Sequence, residues 1–207
     1  MPATGGVGQI EASFIDGGKV MANVTGDAIK GRGSRWRMAG WSIAALLLLL
    51  PLVAMQFTAE VNWTVGDFFF AGLMIGVVGL AFELAVRMSD SWAYRAGVGC
   101  ALAASFMIVW AGGAVGMIGD EGNPYNLLFV GVIGLALVGA ILTRFRARGL
   151  ALTMVVAAVA HLVVAAVGMA SDLRGGVFSA MFAGLWLLAA ALFHNAASEP
   201  ATERPPA

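Results

Sequence analysis

Residues 126–150 read NLLFVGVIGLALVGAILTRFRARGL: one long apolar run, three arginines within five residues, then the start of a second apolar run. A helix needs roughly 20 apolar residues to cross the hydrocarbon core of a bilayer. The run 126–144 meets that length, and the turn Arg144-Phe145-Arg146-Ala147-Arg148 separates it from the next run at 150–170. Two membrane-length helices joined by a short basic turn make a transmembrane hairpin. Working outward, comparable runs fall at 39–57, 66–87, 93–118 and 176–194. Gly, Ala, Leu and Val fill all six without two-residue alternation, which excludes a β-barrel pattern. The expectation is an all-α membrane protein, a six-transmembrane-helix bundle.

Composition agrees. The chain has 207 residues, 60% of them hydrophobic and 12% charged, with mean hydropathy +0.87. A soluble domain is about 25% charged, so this chain has too little charged surface to cover its apolar side chains in water. Lipid removes that problem, and the bilayer is the first partner implied. Zero formal net charge gives no reason to expect nucleic acid. The single cysteine, Cys100, excludes an internal disulfide framework and a multi-cysteine metal knuckle.

Orientation follows from the basic residues. Lys19, Lys30, Arg32, Arg35 and Arg37 precede the first run, Arg87 and Arg95 flank the 2–3 turn, and Arg204 follows the last run. With Arg144, Arg146 and Arg148 they share one side of an even-numbered bundle, leaving Arg174 opposite. The positive-inside rule makes that side cytoplasmic, with N-in/C-in topology. Trp36, Trp41, Trp92 and Tyr94 then fall at the inner interface, and Trp63 and Tyr125 at the outer one; Trp110 and Trp186 lie deeper. The organisation expected is a flexible cytoplasmic segment 1–37, a transmembrane domain 38–195 and a flexible tail 196–207. The first run lacks a small-x-small cleavage site and reads as a retained helix, kinked at Pro51.

Few polar residues fall at membrane depth, where an unpaired one costs several kcal/mol. His161 lies near the middle of the fifth run. It could relay protons, hold a metal or bind haem; the structural alternative is a neutral imidazole hydrogen-bonded to a neighbouring helix. His194 ends the sixth run at a different depth, so one haem does not bridge the pair. Glu83 and Arg87 share a helix face four residues apart, either as a clamp between helices 2 and 3 near Arg95 or as a proton or substrate site. Asp67 is expected at the first turn of helix 2, capped by Thr64. It also belongs to an acidic outer rim with Glu60, Asp120, Glu121 and Asp172, a rim that could attract cations. Asn123 is expected to cap helix 4, with Pro124 in its first turn. One Asn-Pro pair at a membrane edge does not make a water channel, which needs two at the midplane. Gly5-Gly6-Val7-Gly8 lacks the strand and helix that a phosphate loop requires.

Phe70-Ala71-Gly72-Leu73 recurs as Phe182-Ala183-Gly184-Leu185. Either this marks a parallel internal repeat or it is chance in Ala- and Gly-rich sequence. Gly72 with Gly76, and Gly112 with Gly116, permit close helix approach within the chain, with a membrane-protein partner or in a homo-oligomer.

Asn62-Trp63-Thr64-Val65-Gly66-Asp67-Phe68 and Gly119-Asp120-Glu121-Gly122-Asn123-Pro124-Tyr125-Asn126 resemble segments of a group of small multi-pass bacterial inner-membrane proteins without established function. The resemblance covers most of the membrane region and not the tails. It implies inner-membrane topology and no particular activity. No paired acids, Ser/His set or His cluster shares one depth, so the expected function is a non-enzymatic accessory or scaffold bundle without cofactor. The alternative is a small-solute or cation/proton transporter using His161 or Glu83.

Overall fold

A computed structural model describes residues 38–58 and 61–199. The basic residues of the N-terminal segment, Trp36, Glu60, Arg204 and the tail from residue 200 lie outside the described residues. Those described form helices and connecting turns with no β-strand among them. The helices are α1 (Met38–Ala54), α2 (Val65–Met88), α3 (Trp92–Ala114), α4 (Leu127–Leu142), α5 (Ala147–Gly168), α6 (Leu173–Met181) and α7 (Ala183–Ser198). A 3₁₀ turn, Pro124–Asn126, leads into α4.

Five segments are long and apolar enough to cross a membrane: Val65–Met88, Trp92–Ala114, Pro124–Leu142, Ala147–Gly168 and Leu173–Ser198. The first apolar run forms the shorter helix α1, which continues through Pro51 to Ala54. Large side chains cover the outward faces, with Leu137 58% and Leu152 66% exposed. Such faces suit hydrocarbon and not water. The chain is an all-helical protein of the multi-pass membrane kind.

Contacts divide the chain into two units, one ending at Ile75 and the other beginning at Gly76. In the first unit, Gly72 approaches α1 closely enough that a Cβ there would lie 3.6 Å from the Leu48 side chain. Thr64 and Asp67 form a reciprocal cap. The Thr64 backbone N–H and hydroxyl donate to Asp67 Oδ2 at 2.7 and 2.8 Å, and Asp67 N–H returns a bond to Thr64 Oγ1 at 3.3 Å. This satisfies donors that the first turn of a helix leaves open, as the Thr-x-x-Asp spacing predicts.

The second unit is built around α5 and α7. They pack on each other, with α3 against α7 and both α4 and α6 against α5. Alanine makes these contacts possible: Ala104, Ala157, Ala158, Ala165 and Ala189 have no exposed surface. Small side chains let helix backbones approach where lipid offers no hydrophobic drive. At Gly97 a Cβ would meet the Phe193 ring at 3.1 Å, and Tyr94 packs edge-on to Phe193 with centroids 5.4 Å apart.

Some details follow expectation and others depart from it. Arg95 makes the crossing from α2 to α3: its Nε donates to Ser89 O at 2.8 Å and its Nη2 to Val86 O and Asp90 Oδ1, both at 3.1 Å. Glu83 and Arg87 sit 3.9 Å apart along α2, with Arg87 largely exposed. Tyr94 is buried and donates its hydroxyl to Phe145 O, while Tyr125 donates to Val164 O. Both tyrosines therefore tie helices together, whereas Trp92 remains exposed as an interfacial ring should. The helix expected to run to 118 ends at Ala114, and the helix expected to stop before 196 continues to Ser198. The two Phe-Ala-Gly-Leu segments are not conformationally equivalent: the first lies inside α2, and the second spans the α6–α7 junction.

Candidate functional site

The early end of α3 creates the most distinctive region of the fold. Gly116 and Gly119 adopt φ of +79° and +70°, a left-handed region that glycine enters without a Cβ clash. Turning there, the chain drops Met117 and Ile118 into the bundle, where each is 1% exposed. Backbone groups carried into an apolar interior need partners, and polar side chains of other elements supply them.

Asn126, itself buried, does most of this. Its Oδ1 accepts from Met117 N–H at 3.2 Å and Ile118 N–H at 2.8 Å, and its Nδ2 donates to Asp120 O at 2.8 Å. Asn123 Nδ2 donates to Ile118 O, while its Oδ1 caps Tyr125 N–H. From α6, the fully buried Ser179 donates its hydroxyl to Met117 O at 2.9 Å. Asp172 stands at the rim: its Oδ2 accepts from Gly119 N–H and its Oδ1 from Gly175 N–H, so one carboxylate fastens the loop and starts α6.

His161 enters from α5, about 5 Å beyond the helix midpoint at 1.5 Å per residue. The residue is wholly buried, and its Nε2 lies 2.9 Å from Ser179 O. A carbonyl only accepts, so Nε2 carries the proton and Nδ1 of the neutral ring presents a lone pair. Phe129 packs beside the imidazole at a centroid distance of 5.0 Å. Nδ1 and the Trp186 indole N–H are buried without a hydrogen-bond partner among the described residues.

The Ser179 carbonyl also accepts from Phe182 N–H at 3.0 Å. That three-residue step is where α6 stops and α7 begins. A side-chain donor reaching into a helical ladder is a recognised cause of such interruptions. The result is a connected set running from His161 through Ser179 and Met117 to Asn126 and Asp120.

Of the residues singled out in the sequence, this set includes His161, Asn123, Asp120 and Asp172. Asp67 acts as a cap in the first unit, and Glu83 and Arg87 lie along α2. Ser179 carries no motif, and Asn126 figures in the sequence only as the last residue of the loop segment that bears the resemblance, with no role assigned to it. Their one signal is polarity inside runs that are otherwise nearly all apolar. Among the described residues no group of three or more His, Cys, Asp or Glu could hold a metal ion. His194 is exposed, whereas His161 is enclosed. Comparison with family models, with curated proteins and with solved structures finds no match.

Two predictions test the loop. A Cβ at Gly116 would lie 2.5 Å from both C and O of Asp120, which are backbone atoms, whereas at Gly119 it would meet the movable Asn123 Nδ2 at 3.1 Å. Gly116→Ala should therefore destabilise by about 1–3 kcal/mol, and by more than Gly119→Ala. Thermal melting in detergent orders the two, and the reverse order would refute this account.

The second concerns pH. Donation from Gly175 N–H and Gly119 N–H, aided by Arg174, holds the Asp172 pKa below its ordinary value. Its contribution to stability is then present above the unfolded pKa and lost as pH falls toward the folded one. Melting temperature should drop on acidification below about pH 4, and Asp172→Asn should flatten that part of the profile. Parallel profiles for the two proteins would remove Asp172 as the cause.

Proposed function

We propose that this protein is a bacterial inner-membrane protein with both termini in the cytoplasm, serving as a non-enzymatic accessory or scaffold bundle. The observation that supports this reading is where the polar side chains go. Asn126, Ser179, Tyr94 and Tyr125 all bond main-chain atoms of other segments. Arg95 and Asp172 do the same. Such bonds fix a shape and leave little free chemistry. A shaped bundle with apolar outer faces is suited to holding other membrane components.

Purification of the full chain from its own membrane in mild detergent, after reversible crosslinking, tests the reading. A partner recovered at fixed stoichiometry, whose own level or activity falls when this chain is deleted, is the expected result. A lone species whose deletion alters no other membrane complex would refute it. Orientation is tested separately by a reporter fused after Ala207, which should be active in the cytoplasm.

A second reading, proton or cation transport, is favoured by one feature: the unpartnered Nδ1 of buried His161 beside the α6–α7 interruption. Transporters place ion sites at broken helices. Vesicles containing the protein would then dissipate an imposed pH gradient, and His161→Gln would stop them. An equal gradient decay in vesicles with and without the protein excludes this reading.

A further inference from the structure

The turn between α4 and α5 combines strained backbone with three exposed arginines. Arg144 and Phe145 have φ of +52° and +56°, a left-handed conformation that side chains other than glycine rarely adopt. The turn is nonetheless firmly held. Phe145 N–H bonds Ala140 O, Arg144 N–H bonds Ile141 O, and Arg146 N–H bonds Thr143 O. Thr143 Oγ1 donates to Gly139 O at 2.8 Å, and Tyr94 reaches across from α3 to bond Phe145 O at 3.0 Å.

What this turn displays is Arg144, Arg146 and Arg148, all exposed, with Phe145 40% exposed among them. Among the described residues no carboxylate pairs with any of the three guanidiniums. Arg146 occupies the N-cap of α5, where no side chain accepts from the first turn. Because Pro124–Leu142 and Ala147–Gly168 are both membrane-length, the turn between them lies at a membrane edge; the inference rests on that membrane reading. Three planar cation forks and an aromatic ring at that level match a phosphodiester above and acyl chains below.

We propose that the Arg144–Arg148 turn is a binding surface for acidic phospholipids, its guanidiniums engaging the headgroup phosphate and Phe145 the adjoining acyl chains. The side chains explain why positions suited to glycine hold arginine and phenylalanine. A juxtamembrane cation contributes about fivefold in affinity for an anionic surface, so three contribute about a hundredfold.

The test uses the full chain purified in mild detergent, titrated with phosphatidylglycerol or phosphatidylcholine, with retained lipids counted by native mass spectrometry. Wild type should prefer phosphatidylglycerol. The R144Q/R146Q/R148Q variant should lose about a hundredfold in that affinity. The corresponding triple lysine variant, which preserves charge and membrane orientation, should fall between them because it lacks the bidentate fork. R144G should melt no lower than wild type, since glycine suits the backbone, while binding phosphatidylglycerol about fivefold more weakly. Equal phosphatidylglycerol retention by wild type and the triple glutamine variant, both shown to be folded by melting in lipid-free detergent, overturns the proposal. So does displacement of the lipid by inorganic phosphate beyond that caused by chloride at equal ionic strength, which would assign the site to a soluble anion. Failure of the membrane reading shows itself differently, as release of the chain from membranes by alkaline carbonate without detergent.

Discussion

Asn126→Ala is expected to be the most damaging single change in the second unit. The substitution removes the acceptor of two main-chain N–H groups, those of Met117 and Ile118, and the donor to Asp120 O. Met117 and Ile118 are each 1% exposed, so water cannot readily replace the amide. Leaving a buried donor unsatisfied costs about 1–3 kcal/mol, so two orphaned groups imply about 2–6 kcal/mol. For a protein of this size that corresponds to a drop of about 10 °C in apparent melting temperature. Proteolysis in the 115–123 loop should accelerate in parallel, because the same bonds hold that segment inside the bundle. Asn126→Asp keeps the acceptors, loses the Nδ2 donor and adds a buried charge, so it should also destabilise. A melting temperature for Asn126→Ala within 2 °C or so of wild type would show that the loop is held by packing alone.

His161→Ala should follow closely, for a different reason. Ser179 O keeps its bond from Phe182 N–H when the imidazole is removed, so the loss is chiefly that of a filled volume. Truncating a wholly buried ring beside Phe129 costs about 3–5 kcal/mol. Glutamine restores much of the volume and a donor that can reach Ser179 O. His161→Gln should therefore lie within about 1–2 kcal/mol of wild type. This pair separates two roles that one alanine variant would confuse. If His161 only braces α5 against α6, Gln rescues stability and no proton flux is lost, because there was none. If Nδ1 carries a proton across the membrane, Gln rescues stability and abolishes flux. Equal destabilisation by Ala and Gln would refute the bracing geometry itself.

The two variants probe opposite ends of one connected set. Asn126 holds the loop that carries Met117 inward, and His161 meets the main-chain carbonyl of Ser179, whose side-chain hydroxyl donates to Met117 O. Combined, Asn126→Ala and His161→Gln should be non-additive if the set acts as a unit, since residues sharing partners couple.

How much of this was legible beforehand differs by residue. The Thr64–Asp67 cap was readable because a cap needs only four consecutive residues in the right order. Asn123 and Pro124 were readable as a helix start for the same reason, although they open the 3₁₀ turn Pro124–Asn126 and α4 itself begins at Leu127 without a side-chain cap. His161 stood out as a titratable group deep in an apolar run, and a bond to an adjacent helix was one of its two expected roles. The identity of its partner was not readable, because Ser179 lies 18 residues away and offers a carbonyl, which every residue has. Asn126 and Ser179 were passed over, since one amide or hydroxyl near a helix end is ordinary. Tyr94 was expected as an interfacial ring, and what was not readable is that the ring is buried. Its burial depends on Phe193 and on a carbonyl 51 residues away.

Hydrophobic periodicity and run length are local quantities, and solvent acts on each segment separately. That is why the sequence by itself determined the all-helical character, five of the six membrane-length segments expected and the basic turns between them; the first run forms only the shorter helix Met38–Ala54. Tertiary structure alone decided that α3 ends four residues early, that its continuation turns inward, and that the last span breaks at Phe182. Each of those outcomes depends on which distant donor satisfies a buried carbonyl or which distant acceptor satisfies a buried N–H, and that pairing exists only once the helices have packed.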